Sequence, residues 1–141
     1  MEIQRLNPTT MMKPLGSYCQ ATRHGDLVMT AGVAAIDRHG NIVGGSDIAA
    51  QTRATLENLR HALEAAGARI ETVMKVTVYL TNFENYRGFN RVFDEYFAKC
   101  PPARATVRAD LVLPELLVEI DAIAMRSAAV VSDGQTGKTG A

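Results

Sequence analysis

Pro101-Pro102-Ala103-Arg104-Ala105-Thr106-Val107-Arg108, followed closely by Leu117-Val118-Glu119-Ile120-Asp121-Ala122-Ile123-Ala124, are the two stretches whose reading decides the fold. Both alternate with a period of two, as strands do, and the double proline stops any helix that precedes it. Because strand side chains alternate, Arg104, Thr106 and Arg108 share one face while Ala105 and Val107 share the other. The second strand sets Glu119 and Asp121 on one face, with Val118, Ile120, Ala122 and Ala124 on the other. Each strand therefore reads as one packing face and one chemical face. A guanidinium and a carboxylate on stiff elements suit a small site for a carboxylate-bearing substrate.

Working outward, Pro101-Pro102 closes a helix that begins between Asn82 and Asn85 and runs to about Lys99, with Tyr86, Phe89, Phe93, Tyr96 and Phe97 as its aromatic face. Val73 to Leu80 reads as a strand with Met74, Val76, Val78 and Leu80 on one side and Lys75, Thr77 and Tyr79 on the other. Ser46 or Asp47 caps another helix ending at Gly67, whose apolar positions Ile48, Thr52, Leu56, Leu59, Leu63 and Ala66 recur at steps of four and three. Arg53 with Glu57 and Arg60 with Glu64 read as solvated pairs on its outer face. Ser17 to Thr22 and Leu27 to Val33 are strands joined through Arg23-His24-Gly25-Asp26, Asp37 to Asn41 is a turn, and residues 1–14 read as a lead-in. The order is β-β-α-β-α-β-β. Residues 1–126 form one domain, and the small, polar, glycine-rich 127–141 read as a disordered tail. Its Gly137-Lys138-Thr139 lacks the leading glycine of a phosphate loop, because Ser132 stands there.

Fifteen basic and fifteen acidic residues in 141 leave no net charge, so the electropositive footprint of a nucleic-acid binder is missing. Cys19 and Cys100 are too few for a disulfide framework or a four-ligand zinc site, which suits a reduced, cytoplasmic protein. His24, His39 and His61 lack partners at ligand spacing and read as plain surface. No apolar run approaches the roughly twenty residues of a membrane span, and nothing resembles an export signal.

Two amphipathic helices must cover one face of a mixed sheet, which gives an α+β two-layer domain. The other face is read as carrying Lys75, Thr77, Tyr79, Arg104, Thr106, Arg108, Glu119 and Asp121. Such a face meets either water or copies of itself in a closed oligomer.

Tyr18 after Leu15-Gly16-Ser17, Thr30-Ala31-Gly32, Asn90 within Tyr86-Arg87-Gly88-Phe89-Asn90-Arg91-Val92-Phe93, Pro102-Ala103-Arg104 and Val118 to Ala124 together resemble the RidA (YjgF) family of imine deaminases. The resemblance spans about residues 14–126. It implies a chorismate-mutase-like fold, a homotrimer whose sheets surround a central barrel, and ligand sites between neighbouring subunits. It also implies hydrolysis of reactive 2-imino or enamine acids, such as 2-iminobutanoate and 2-iminopropanoate, to 2-keto acids and ammonia, with no metal and no organic cofactor. The other readings are a specialised deaminase of an aminoacrylate or aminomuconate intermediate, and a non-catalytic metabolite-binding or holdase trimer.

The resemblance assigns roles residue by residue, and each has a structural alternative. Arg104 matches the arginine that binds the substrate carboxylate; an interchain salt bridge is the alternative. Glu119 matches the glutamate beside the reacting water, or pairs structurally with Arg108 or Lys75. Asn90 shares a helical stripe with Tyr86, Phe93 and Phe97 and needs a polar partner, either the ligand cleft or a nearby backbone. Tyr18 closes over the substrate or is an ordinary hairpin tyrosine. Gly32 lets a backbone amide approach the ligand or marks a bulge. Thr106 stands where the family often has cysteine, and its hydroxyl can still donate to and accept from a water. The segment from Arg104 to Pro114 reads one residue longer than in the best-known members, which bears on substrate preference.

Overall fold

In the computed structural model, which describes residues 2–127, the core forms where two strands with one apolar face each lie side by side. Val76, Val78 and Leu80 of β5 (Val73–Leu80) and Val118, Ile120, Ala122 and Ala124 of β7 (Val118–Met125) are almost wholly removed from water. The sheet runs β1 (Gln4–Leu6), β2 (Ala21–His24), β3 (Leu27–Thr30), β7, β5, β6 (Ala103–Arg108), with β4 (Val33–Ala34) also paired to β7. Only β5 and β6 are parallel, so the sheet is mixed. Its parallel step is bridged by a helix, as such a crossover requires.

Two helices cover one face. In α1 (Ile48–Ala65) the Asp47 carboxylate accepts from the amides of Ala49 and Ala50, and Leu56, Leu59 and Leu63 are fully buried. Gly67, at φ +82°, ends the turn that follows, where a side chain would be strained. In α2 (Tyr86–Phe97) the rings of Phe93 and Phe97 stack with centroids 4.5 Å apart, and Phe89 packs on Phe93 at 5.4 Å. Burying each such leucine or phenylalanine contributes about 1.5–3 kcal/mol. Leu59→Ala alone would cost about 2–5 kcal/mol.

Several expectations are corrected. The lead-in holds β1, which pairs with β2 through Arg5 and Thr22. The stretch read as one strand from Leu27 to Val33 is two, because Ala31 and Gly32 leave the ladder; there the amide of Ala122 donates to Thr30 Oγ1 at 3.0 Å instead. The predicted strand from Ser17 narrows to Ala21–His24, leaving Tyr18 in the preceding loop. Met74 is the extra residue of a bulge and is exposed rather than packed. Arg53 pairs not with Glu57 but across the helices with Glu95, at 2.6 and 3.3 Å, and Arg60 lies 3.4 Å from Glu57 rather than pairing with Glu64. Helix packing supplied a closer carboxylate than helix spacing did. His61, expected on the surface, has a buried Nδ1. The glycine-rich stretch from residue 128 onward, including Gly137-Lys138-Thr139, lies outside the described residues. No helix among the described residues is long and apolar enough to cross a membrane.

Candidate functional site

Strand register decides where the charged side chains point. Arg104 sits opposite Val76, and Val76 opposite Ala122, so all three share the helix-covered side. Glu119, three residues from Ala122, faces the other way. The expected single site with both groups on one face is therefore two half-sites on opposite faces. Thr106 and Arg108 move with Arg104, whereas Ala105 and Val107, expected to pack, face the open side with Lys75, Thr77, Tyr79 and Asp121. The inversion is possible because β6 is the edge strand. There α2 only borders the helix side, so an arginine can lie along its rings while the guanidinium reaches the rim.

In the first half-site Nη1 of Arg104 donates to Asn90 Oδ1 and Nη2 to the Tyr86 hydroxyl, both at 2.9 Å. The guanidinium carbon lies 4.8 Å from the Phe93 ring centroid, 5.6 Å from that of Phe89 and 5.8 Å from that of Tyr86. Each such contact is worth about 0.5–1 kcal/mol at a partly exposed position. Among the described residues the Asn90 side chain bonds this guanidinium rather than a backbone group. Of the five N–H donors that a guanidinium carries, two are engaged among the described residues, which leaves three for an anion. Asn90, Phe93, Pro101, Pro102 and Arg104 border one shallow cleft, and Thr106 follows Arg104 on the same face. Tyr86 was not singled out for the site, although it stands four residues before Asn90 on the same stripe.

The second half-site gathers Tyr18, Gly32 and Glu119 around a cavity of about 190 Å³. The strand break at Ala31 and Gly32 makes room for the Glu119 carboxyl, which lies directly against Gly32. Burial, and then the negative charge of Asp121, hold the Glu119 carboxyl above the ordinary carboxylate range. Among the described residues Glu119 pairs with neither Arg108 nor Lys75. Asp121 accepts from the Tyr79 hydroxyl at 2.9 Å, a bond that with burial pushes the Tyr79 phenol up. The Tyr18 hydroxyl accepts from the amide of Leu15 at 3.1 Å, which curls the loop over the cavity mouth. Among the described residues no three His, Cys, Asp or Glu side chains gather as a metal-binding group.

A half-buried carboxyl whose pKa burial has raised is a stronger base than a free one and can take up and return a proton, and an arginine with its plane preset on aromatic rings can hold a carboxylate.

The profile of a family described as endoribonuclease L-PSP matches residues 9–126. The chain belongs to this family, the YjgF/RidA family. A RutC family protein of Pyrococcus horikoshii is 44% identical over 115 residues, covering 81% of this chain and 90% of that protein. A member from Acinetobacter baylyi, named 3-aminoacrylate deaminase RutC, is 36% identical over 111 residues, covering 79% and 88%. The crystal structure of the E. coli YjgF gene product superposes with a TM-score of 0.79 at 26% identity, over 87% of this chain and 98% of that one. E. coli TdcF, solved with bound serine, gives 0.80 at 27%, with the same coverage. The two helices on a mixed sheet are thus the YjgF fold, and the family includes deaminases.

Proposed function

We propose that this YjgF/RidA family member hydrolyses small reactive 2-imino or enamine acids, such as 2-iminobutanoate and 2-iminopropanoate, to 2-keto acids and ammonia. The observation that carries this reading is the placement of Arg104 and Glu119 on opposite faces of one sheet. Each half-site lacks what the other offers, so a second subunit bringing its edge strand to the first subunit's Glu119 would complete both. The open sheet face supports such an assembly, since Leu27, Met29, Val107 and Met125 are exposed there. A homotrimer closing its sheets around a central barrel is the assembly we propose.

In the completed site Arg104 grips the substrate carboxylate through its remaining N–H donors, held in orientation by Asn90 and Tyr86. Glu119 takes a proton from water as the oxygen adds to the carbon of the protonated imine, which gives a neutral carbinolamine. Glu119 returns that proton to the nitrogen, the C–N bond breaks as the hydroxyl oxygen forms the carbonyl double bond, and the hydroxyl proton passes through Glu119 to the departing ammonia, so that keto acid and ammonium leave. The Thr106 hydroxyl is placed on the Arg104 side to steady the adding water. Tyr18 covers the substrate and Gly32 gives it room. Such imines already hydrolyse in water, so positioning and proton transfer are sufficient. Hydrolysis is preferred over RNA cleavage because the balanced charge offers phosphates little attraction. A second reading, deamination of 3-aminoacrylate, is favoured by the name of the Acinetobacter baylyi relative.

The test couples the protein to a threonine dehydratase and follows keto acid and ammonia. Release faster than in buffer, lost in Arg104→Ala while the sedimentation profile stays that of a trimer, is the expected result. A buffer-like rate for the unaltered protein would make it a binding protein instead.

A further inference from the structure

The cavity beside Glu119 is larger and drier than a two- or three-carbon side chain requires. It measures about 190 Å³; Met11, Val33, Ile36 and Leu116 build most of its wall, with Leu15 and Val112 at its mouth. A dry cavity of about 150 Å³ already accommodates a benzene ring. The amides at its border are occupied: Gln20 Nε2 donates to the carbonyl of Met12 at 3.1 Å, and Asn58 Nδ2 to the carbonyls of Ala34 and Ile36 at 2.8 and 2.7 Å. Glu119 and the Tyr18 hydroxyl are left as the polar groups that a bound molecule would meet first.

An imine carbon carries three substituents. The nitrogen and the adding water belong at Glu119, and the carboxylate reaches toward the neighbouring subunit's arginine. The side chain is then left with the apolar cavity. We infer that this cavity is a side-chain subsite, and that the preferred substrates are 2-imino acids bearing bulky apolar groups, branched or aromatic. The inference rests on the deaminase reading above. An anionic side chain of equal length would lose its hydration and meet the Glu119 carboxyl, so the site turns it away. In an apolar pocket each added methylene shifts kcat/KM by roughly 10–200-fold, so the preference over a methyl side chain is large.

The experiment generates imines from alanine, leucine, phenylalanine and glutamate with an L-amino acid oxidase, and measures keto acid release with the whole protein. The leucine- and phenylalanine-derived imines are expected to exceed the alanine-derived one by at least about tenfold in kcat/KM, with the glutamate-derived imine slowest. Leu15→Ser and Val112→Ser alter side chains that are 68% and 89% exposed, so the fold tolerates them. Each should narrow the leucine-to-alanine ratio severalfold. Acceleration that is equal across the panel, or greatest for the alanine-derived imine, overturns the subsite and leaves the deaminase reading standing. Acceleration of none of the four overturns both.

Discussion

A Cβ built on Gly32 would stand 2.8 Å from Cδ of Glu119 and closer still to one carboxylate oxygen, so the bare backbone at 32 is what lets that carboxyl sit in the strand break. Gly32 does not have positive φ, and alanine there is conformationally ordinary. The group that must yield is the far end of a flexible side chain. Gly32→Ala should therefore change stability by no more than about 1 kcal/mol yet lower deaminase kcat/KM at least about tenfold by displacing Glu119. Thermal unfolding and steady-state kinetics on one preparation check both halves. An active Gly32→Ala would detach Glu119 from the chemistry.

Arg104→Lys tests the fork rather than the charge. Lysine keeps the cation but cannot bond Asn90, Tyr86 and a carboxylate together in one plane. Loss of one or two charge-assisted bonds predicts a fall in kcat/KM of about a hundredfold, mainly through KM. Tyr86→Phe removes one support and should cost severalfold. Full activity in Arg104→Lys would show that a point charge is enough.

Period and punctuation made much of this readable. The alternation of β5 and β7, the Asp47 cap and the aromatic stripe of α2 are local patterns, and the protein keeps them. Asn90 on that stripe was conspicuous for the same reason. What failed depended on distant partners. β1 is three residues long and exists because β2 is beside it. Alternation shows that Arg104 and Ala105 face opposite ways, but not which side the helices cover at an edge strand. There Ala105 and Val107 looked like core, and the arginine is the one facing α2. Arg53 likewise found Glu95, a residue whose position only helix packing determines.

Glu119→Gln should separate stability from function through pH. In the folded chain burial and Asp121 hold the carboxyl above its ordinary range, so folded protein keeps a proton that unfolded protein has lost between the two values. Stability therefore falls as pH rises through that window and stays lower above it. Glutamine removes the penalty. At about pH 8 the variant should match or exceed the parent in stability, with the difference shrinking near pH 4, while deaminase activity is lost. A variant whose stability deficit grows with pH would contradict the assigned direction.

Gln51 holds the second half-site in place from beneath. It is fully buried; its Nε2 donates to the carbonyls of Gly45 and Glu115 at 2.6 and 2.9 Å, and its Oε1 accepts from the amide of Leu117 at 2.9 Å. Those bonds tie the first turn of α1 to the segment that carries Leu116 and runs into Glu119. Gln51→Leu fills the volume but strands two carbonyls and an amide, which predicts a loss of about 2–5 kcal/mol and a Tm lower by about 10 °C. Gln51→Glu is the sharper test. Its carboxyl can donate to one of the two carbonyls only when protonated, so the folded state raises its pKa, and stability should climb as pH falls toward about 4. Chemical denaturation at two pH values decides it, and a Gln51→Glu protein equally stable at both would mean that the amide is not the tie between α1 and the Glu119 strand.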